Sequence, residues 1–134
     1  MSKSKSTDFG KWGAYVITGG DALELAKNAC QGGARIIQYR DKNGLRKNIL
    51  KTAKVIRNIC NDYATIFIVN DYIDIALLSE ADGVHLGQGD IPIKEARKIT
   101  PEDFIIGVST HSLEQAKKAE ADGADYIGIG PVFA

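Results

Sequence analysis

The sequence predicts an α/β fold of β/α units in series, arranged as a parallel (β/α) barrel with about six units present. Three observations carry that expectation. Short β-branched runs alternate with helix-periodic stretches along the chain. Runs such as Ile-Phe-Ile-Val lack polar alternation, as strands do when both faces are covered. Polar residues gather where at least four of the runs end, which is how barrels place their chemistry at the C-terminal rim. An open doubly wound sheet would call for a glycine-rich fingerprint after the first run, and Thr18-Gly19-Gly20-Asp21 is too short to be one.

Residues 1–12 read as a frayed polar leader and residues 13–134 as the barrel part. Six apolar runs are expected as strands: 14–18 (AYVIT), 35–40 (RIIQYR), 65–70 (TIFIVN), 83–86 (GVHL), 104–108 (FIIGV) and 126–129 (YIGI). Helices are expected between them at 21–31, 45–63, 72–80, 93–99 and 113–121. In the second helix Leu45, Ile49, Ala53, Ile56 and Cys60 recur every three or four residues and predict one buried stripe. Asp21 and Ser112 are natural N-caps, the latter followed by Glu114 and Gln115 in the first turn. Gly32, Gly33, Gly83 and Gly123 precede or open strands, which suits glycines closing helix-to-strand joints. The strings GGAR and DGADY predict the same joint used twice.

A chain of 134 residues is short for a closed barrel, which usually takes about 250 residues. Hydrophobic residues make up 44% and charged residues 25%, so a sizeable core is expected rather than disorder. Lysine and arginine number 17, as do aspartate and glutamate, so the formal net charge is zero. That balance removes the electrostatic footprint of a nucleic-acid or anionic-membrane binder and favours a small-molecule partner. No apolar run approaches the roughly 18 residues of a membrane span, and the start lacks a signal-peptide core. A cytoplasmic protein is expected. Cys30 and Cys60 are far apart with no CxxC spacing, and are expected to be buried thiols.

Gln38, Arg40 and Lys42 alternate as the second run ends, so the period of two sends the first two, and by extension the third, to one side. A guanidinium beside an ammonium suits a pyrophosphate. The third run ends in Asn70 and Asp71, and the fourth is followed by Asp90. Two carboxylates on neighbouring strand ends suit Mg²⁺, which keeps waters and takes substrate phosphates as further ligands. Each could instead cap the helix that follows it. His85 lies inside the fourth run and could be a core residue or a ligand contact. Ser109 ends the fifth run, where a hydroxyl and the following helix start can hold phosphate oxygens. His111 leads into the next helix. Asp74 and Asp82 are expected to be structural, on a helix surface and in a turn.

The strings IIQYRDK (36–42), IVNDYIDIAL (68–77), ADGVHLGQGD (81–90), IIGVSTHSLEQA (105–116) and ADYIGIGPVF (124–133) together resemble the thiamine phosphate synthase family. The resemblance runs from about Tyr15 to the end of the chain. It implies a (β/α)₈ TIM barrel and a Mg²⁺-dependent transferase that joins 4-amino-5-hydroxymethyl-2-methylpyrimidine diphosphate to thiazole phosphate, releasing pyrophosphate. It further implies that Gln38 and Asn70 hold the pyrimidine with His85 near it, and that Arg40, Lys42 and Ser109 contact the diphosphate as the catalytic set. Asp71 and Asp90 would hold Mg²⁺. A thiazole tautomerase-like paralogue is similar in several strings but needs neither diphosphate nor Mg²⁺. A non-catalytic phosphate- or pyrimidine-binding module is the other alternative.

Two turns depart from the family pattern without touching an implied ligand: Gly89 stands where the family often has an acid, and Thr18-Gly19-Gly20-Asp21 replaces a Thr-Asp-Arg-like turn. A third departure is larger. The family continues after Gly-Pro-Val-Phe (130–133) into a Thr-x-Thr-Lys segment and later glycines that bind the thiazole phosphate. Six strands of eight would leave open sheet edges, so the chain by itself is expected to be a fragment or a truncated form, unstable or self-associating and of uncertain activity.

Overall fold

A computed structural model describes residues 13–131; the leader at 1–12 and the end of the last string lie outside the described residues. The elements run β1 (Tyr15–Thr18), α1 (Ala22–Gln31), β2 (Ile36–Tyr39), α2 (Arg46–Asp62), β3 (Ile66–Asn70), α3 (Ile73–Leu78), β4 (Gly83–Leu86), α4 (Ile93–Ile99), β5 (Ile105–Thr110), α5 (Leu113–Asp122) and β6 (Tyr126–Ile129). The strands form one sheet in the order β1-β2-β3-β4-β5-β6. Every neighbouring pair is parallel, as six β/α units with crossover helices require.

Register divides each strand between two faces. Ile36 pairs with Ile66, Gln38 with Ile68, Asn70 with His85, His85 with Gly107 and Ser109 with Gly128. These residues line the inner face, where Ile36, Ile66, Ile68 and Ile105 form a small cluster against Tyr15 and Tyr126. The alternate residues, among them Ile37, Phe67, Val69, Val84 and Ile106, pack against the helices in the larger core. The hydroxyls of Tyr15 and Tyr126, on the first and sixth strands, stand 2.5 Å apart. The sheet is therefore curled, and the described residues make an α/β part-barrel rather than a closed cylinder.

Helix α2 buries Ile49, Ala53, Ile56 and Cys60 as the stripe predicts. Leu45 does not join them: it is 64% exposed and stands one residue before the helix, with extended backbone. Cys30 and Cys60 are both buried. Ser112 caps α5, accepting from Gln115 N–H at 3.1 Å. Asp21 occupies the position before α1 but makes no side-chain cap bond.

The joint anticipated twice occurs four times. Gly33, Ala64, Glu80 and Gly123 have φ of 91°, 53°, 59° and 101°. After each, the next N–H returns to the carbonyl five residues back: Ala34 to Ala29, Thr65 to Cys60, Ala81 to Ala76 and Ala124 to Ala119. This closes the helix in the left-handed manner usually given to glycine. Gly32 and Gly83 play other parts. Gly32 has φ −80°, and a Cβ on Gly83 would lie 2.2 Å from the Ile105 carbonyl oxygen, so Gly83 permits close strand approach. Asp82 and Asp125 lock two of the joints. Their carboxylates accept from Phe67 N–H and Ile106 N–H, each at 2.8 Å, and pair with Arg57 at 3.2 Å and Arg97 at 2.9 Å. Asp82 is structural, as expected, and so is Asp74, which pairs with Arg46 on the helix surface.

Candidate active site

The strand ends of the curled sheet surround a cavity of about 440 Å³, lined by Gln38, Arg40, Asn70, His85 and Ser109 together with residues of β1 and β6. Gln38, Asn70 and His85 are buried, each on the inner face of its own strand. Gln38 donates from Nε2 to the Tyr15 hydroxyl at 2.7 Å. His85 uses both ring nitrogens, Nδ1 with the Tyr126 hydroxyl at 2.9 Å and Nε2 with Ser109 Oγ at 2.7 Å. His85 is thus a hydrogen-bonded inner-wall residue at the floor of the cavity. Burial holds its imidazole below the ordinary histidine value, against the pull of the Asp71 charge.

At the rim, Lys42 Nζ lies 2.9 Å from Asp71 Oδ2. Lys42 reaches this place through a turn rather than through strand alternation, since β2 ends at Tyr39. Asp41 Oδ1 accepts from Asn43 N–H at 3.0 Å and Gly44 N–H at 2.8 Å, which turns the chain back. The cap readings for the two rim acids fall away. Asp71 and Asp90 lie before the N-cap positions Tyr72 and Pro92, and neither helix start has a side-chain cap bond. Asp71 instead adopts φ 69° and donates its N–H to the His85 carbonyl at 2.8 Å, while Asp90 Oδ2 accepts from Gly87 N–H at 2.7 Å. A non-glycine residue held at positive φ is unusual enough to mark a constrained position.

The two carboxyls share a hydrogen bond, and their proton affinities separate. Burial would raise Asp71, but the Asp90 hydrogen bond, the Lys42 ammonium and the Arg40 charge outweigh it and hold its carboxyl below the ordinary range. Burial and the neighbouring Asp71 push Asp90 up, opposed by the Gly87 N–H. Among the described residues no group of three or more histidines, cysteines or acids could cage a metal. A pair of adjoining carboxyls beside a cationic rim nevertheless fits a hard divalent cation that takes one or two carboxylates and completes its shell with waters and phosphate oxygens.

The eight residues singled out from the sequence therefore meet at one end of the sheet. Gln38, Arg40, Asn70, His85 and Ser109 line the cavity, and Lys42, Asp71 and Asp90 form a bonded cluster beside it. Ser109 lies within β5, which runs on to Thr110, so its hydroxyl is held by His85 rather than sited at a helix start. His111 also borders the cavity, its Nδ1 2.6 Å from the Gly130 carbonyl oxygen. Sequence reasoning missed Tyr15 and Tyr126. The available signal was a pair of tyrosines opening apolar strands, since a buried phenol needs a polar partner.

The family profile described as thiamine monophosphate synthase matches residues 14–134. A thiamine-phosphate synthase of Shouchella clausii is 52% identical over 125 residues, covering 89% of this chain and 60% of the relative. That of Methanocella arvoryzae is 54% identical over 110 residues, covering 82% and 52%. The solved thiamine phosphate pyrophosphorylase from Pyrococcus furiosus superposes with a TM-score of 0.85 at 43% identity, covering 89% of this chain and 60% of that one. The chain thus spans between half and two thirds of the length of these relatives. The match across nearly all its described residues, in sequence and in fold, makes this chain a member of the thiamine monophosphate synthase family.

Proposed function

We propose that this site binds a pyrimidine diphosphate and serves its transfer to thiazole phosphate with release of pyrophosphate. The observation that carries the reading is the rim cluster in which Lys42 lies 2.9 Å from Asp71 and Asp71 is hydrogen-bonded to Asp90, beside the Arg40 charge. Transfer from a benzylic-type diphosphate asks little of the protein beyond stabilising the departing negative charge and the cation left behind. Arg40 and Lys42 supply fixed positive charge there, and Ser109 a hydroxyl. Gln38 and Asn70 offer amides to the ring nitrogens and amino group of the pyrimidine, with His85 at the floor. Asp71 and Asp90 would hold Mg²⁺, which when bound neutralises charge on the diphosphate. No nucleophile–base pair is needed, because the attacking nitrogen belongs to the acceptor. A tautomerase-type reaction would have no use for the Lys42–Asp71–Asp90 cluster.

Calorimetry with a non-reacting pyrimidine diphosphate analogue tests this, with and without Mg²⁺, on the wild type and Asp71→Ala. Binding is expected to require the metal and to weaken at least about tenfold in the variant, roughly 1.4 kcal/mol. Binding indifferent to both would remove the assignment.

A further inference from the structure

Asp71 stands at the centre of a turn that a residue with a side chain enters only at a cost. Its φ is 69°, and the N–H of Tyr72 returns to the Asn70 carbonyl at 2.8 Å. A three-residue turn of this hand is rare and strained, and such a backbone persists only where its surroundings hold it. On one side the Asp71 N–H is tied to the His85 carbonyl on β4, at 2.8 Å. On the other side stands Arg46, the first residue of α2. Its guanidinium lies 4.4 Å from the centre of the Tyr72 ring and pairs with the Asp74 carboxylate. Tyr72 and Asp74 both follow closely on Asp71. One planar cation from a neighbouring β/α unit therefore grips the chain just past the turn, by stacking and by charge.

An ion pair in solvent contributes little by itself, and both Arg46 and Asp74 are exposed. The grip matters because of what it acts on. Global stability rests on the packed core, whereas a strained turn at the rim opens locally at small cost, so contacts of modest strength change how often it is open. Lys42 also reaches this loop, but through the Asp71 carboxylate itself. A divalent cation on that carboxylate would compete with Lys42, while the contacts of Arg46 leave the carboxylate untouched.

We propose that Arg46 is a positioning residue: stacked on Tyr72 and paired with Asp74, it holds the strained turn closed and keeps the Asp71 carboxylate on the rim beside Asp90. That this carboxylate then serves a divalent cation rests on the reading in which Asp71 and Asp90 hold Mg²⁺; the grip on the turn does not. Without Arg46 the backbone at Asp71 relaxes toward negative φ, the Tyr72 N–H leaves the Asn70 carbonyl, and the carboxylate is carried away from Asp90.

Amide hydrogen exchange followed by NMR reads the turn directly and needs no ligand. Arg46→Met keeps an aliphatic stem and removes the planar charge. The Tyr72 amide is expected to exchange about three- to tenfold faster in the variant. The Ile106 amide, bonded to the Asp125 carboxylate on the far side of the sheet, is expected to stay as it was. Arg46→Lys, which can still pair with Asp74, should recover part of the protection. An unchanged Tyr72 amide overturns the proposal, and so does a loss shared equally by Ile106, which would make Arg46 a general support of the fold. If Arg46→Met does not fold, Asp74→Asn removes one half of the grip and is read in the same way. Titration with Mg²⁺ alone, followed through the Asp71 and Asp90 amide shifts, gives a second readout. Affinity is expected to fall about three- to tenfold in Arg46→Met. Equal affinities in the two proteins would overturn the proposal, because a loosened turn would then leave the carboxylate in place. A wild type that binds no Mg²⁺, with the Tyr72 amide responding as expected, counts against the metal reading alone and leaves the grip on the turn standing.

Discussion

On the outer face of the sheet Ile37, Phe67, Val84 and Ile106 share one core with helix residues of mixed size, alanines such as Ala26, Ala53, Ala76 and Ala96 together with Ile49, Ile56, Ile73 and Ile93. On the inner face Ile36, Ile66, Ile68 and Ile105 fill only the end where the strands begin, and Gln38, Asn70, His85 and Ser109 occupy the end where they finish. The outer face has helices to exclude water, so apolar side chains from both layers interdigitate and the layers close tightly. Among the described residues the inner face is filled by side chains from its own strands, so groups there can be polar if they bond one another. One sheet thus carries its larger apolar core on one side and the polar candidate site on the other.

Substitutions at neighbouring positions sharpen that division. Phe67→Ala, fully buried on the outer face, is expected to cost about 3–5 kcal/mol, read as a fall in the urea midpoint. A loss below about 1 kcal/mol would mean that the helix layer is not the main store of stability. Gly107→Ala drives a methyl into the Tyr126 ring and is expected to cost about 1–3 kcal/mol. Because the clash and the ring are one interaction, combining it with Tyr126→Ala should cost clearly less than the two single changes added together. Strict additivity would show that the ring is not held over Gly107.

A smaller effect separates the faces by pH. His85 has a proton affinity depressed by burial from its ordinary value of 6.5, so below that value the unfolded chain binds more protons than the folded one. Stability should therefore decline as the pH falls through about 6.5, and His85→Asn should remove that part of the decline while leaving the rest. Identical melting curves for variant and wild type between about pH 7.5 and 5.5 would contradict a buried neutral imidazole. The smallest expected change is a gain. Glu80 sits at φ 59° in a joint where the equivalent residues are Gly33 and Gly123, so Glu80→Gly should raise stability by about 0.5 kcal/mol, less backbone strain being offset in part by a more flexible unfolded chain. Destabilisation would show that the Glu80 side chain contributes more than the strain it imposes.

Much of the site was legible because strand-end residues in a β/α chain converge on one rim whatever the loops do. The period of two places Gln38 on the inner face; Asn70 was legible as a strand end, and the face of His85 was left open by its apolar neighbours. Lys42 arrived at the rim for another reason, the turn built on Asp41, which strand spacing does not describe. The cap readings of Asp71 and Asp90 were reasonable locally and failed because other partners, the Lys42 ammonium and the Gly87 N–H, are brought to those carboxyls by residues on either side of the strand ends. Ala64 and Glu80 were not recognisable as left-handed joints, since nothing in either residue type announces a positive φ.

Sequence alone determined the alternation of elements, the parallel sheet, the two-sided burial of its strands and the set of polar residues at their ends, because these follow from periodicity and residue chemistry within a few neighbours. Only the tertiary structure decided that Tyr126 lies over Gly107 to meet Tyr15, and that His85 is bonded on both ring nitrogens. Those contacts join strands up to 111 residues apart in the chain. They depend on the curl of the sheet and on its register, and no local pattern in the sequence encodes where a curved sheet brings its first and last strands face to face.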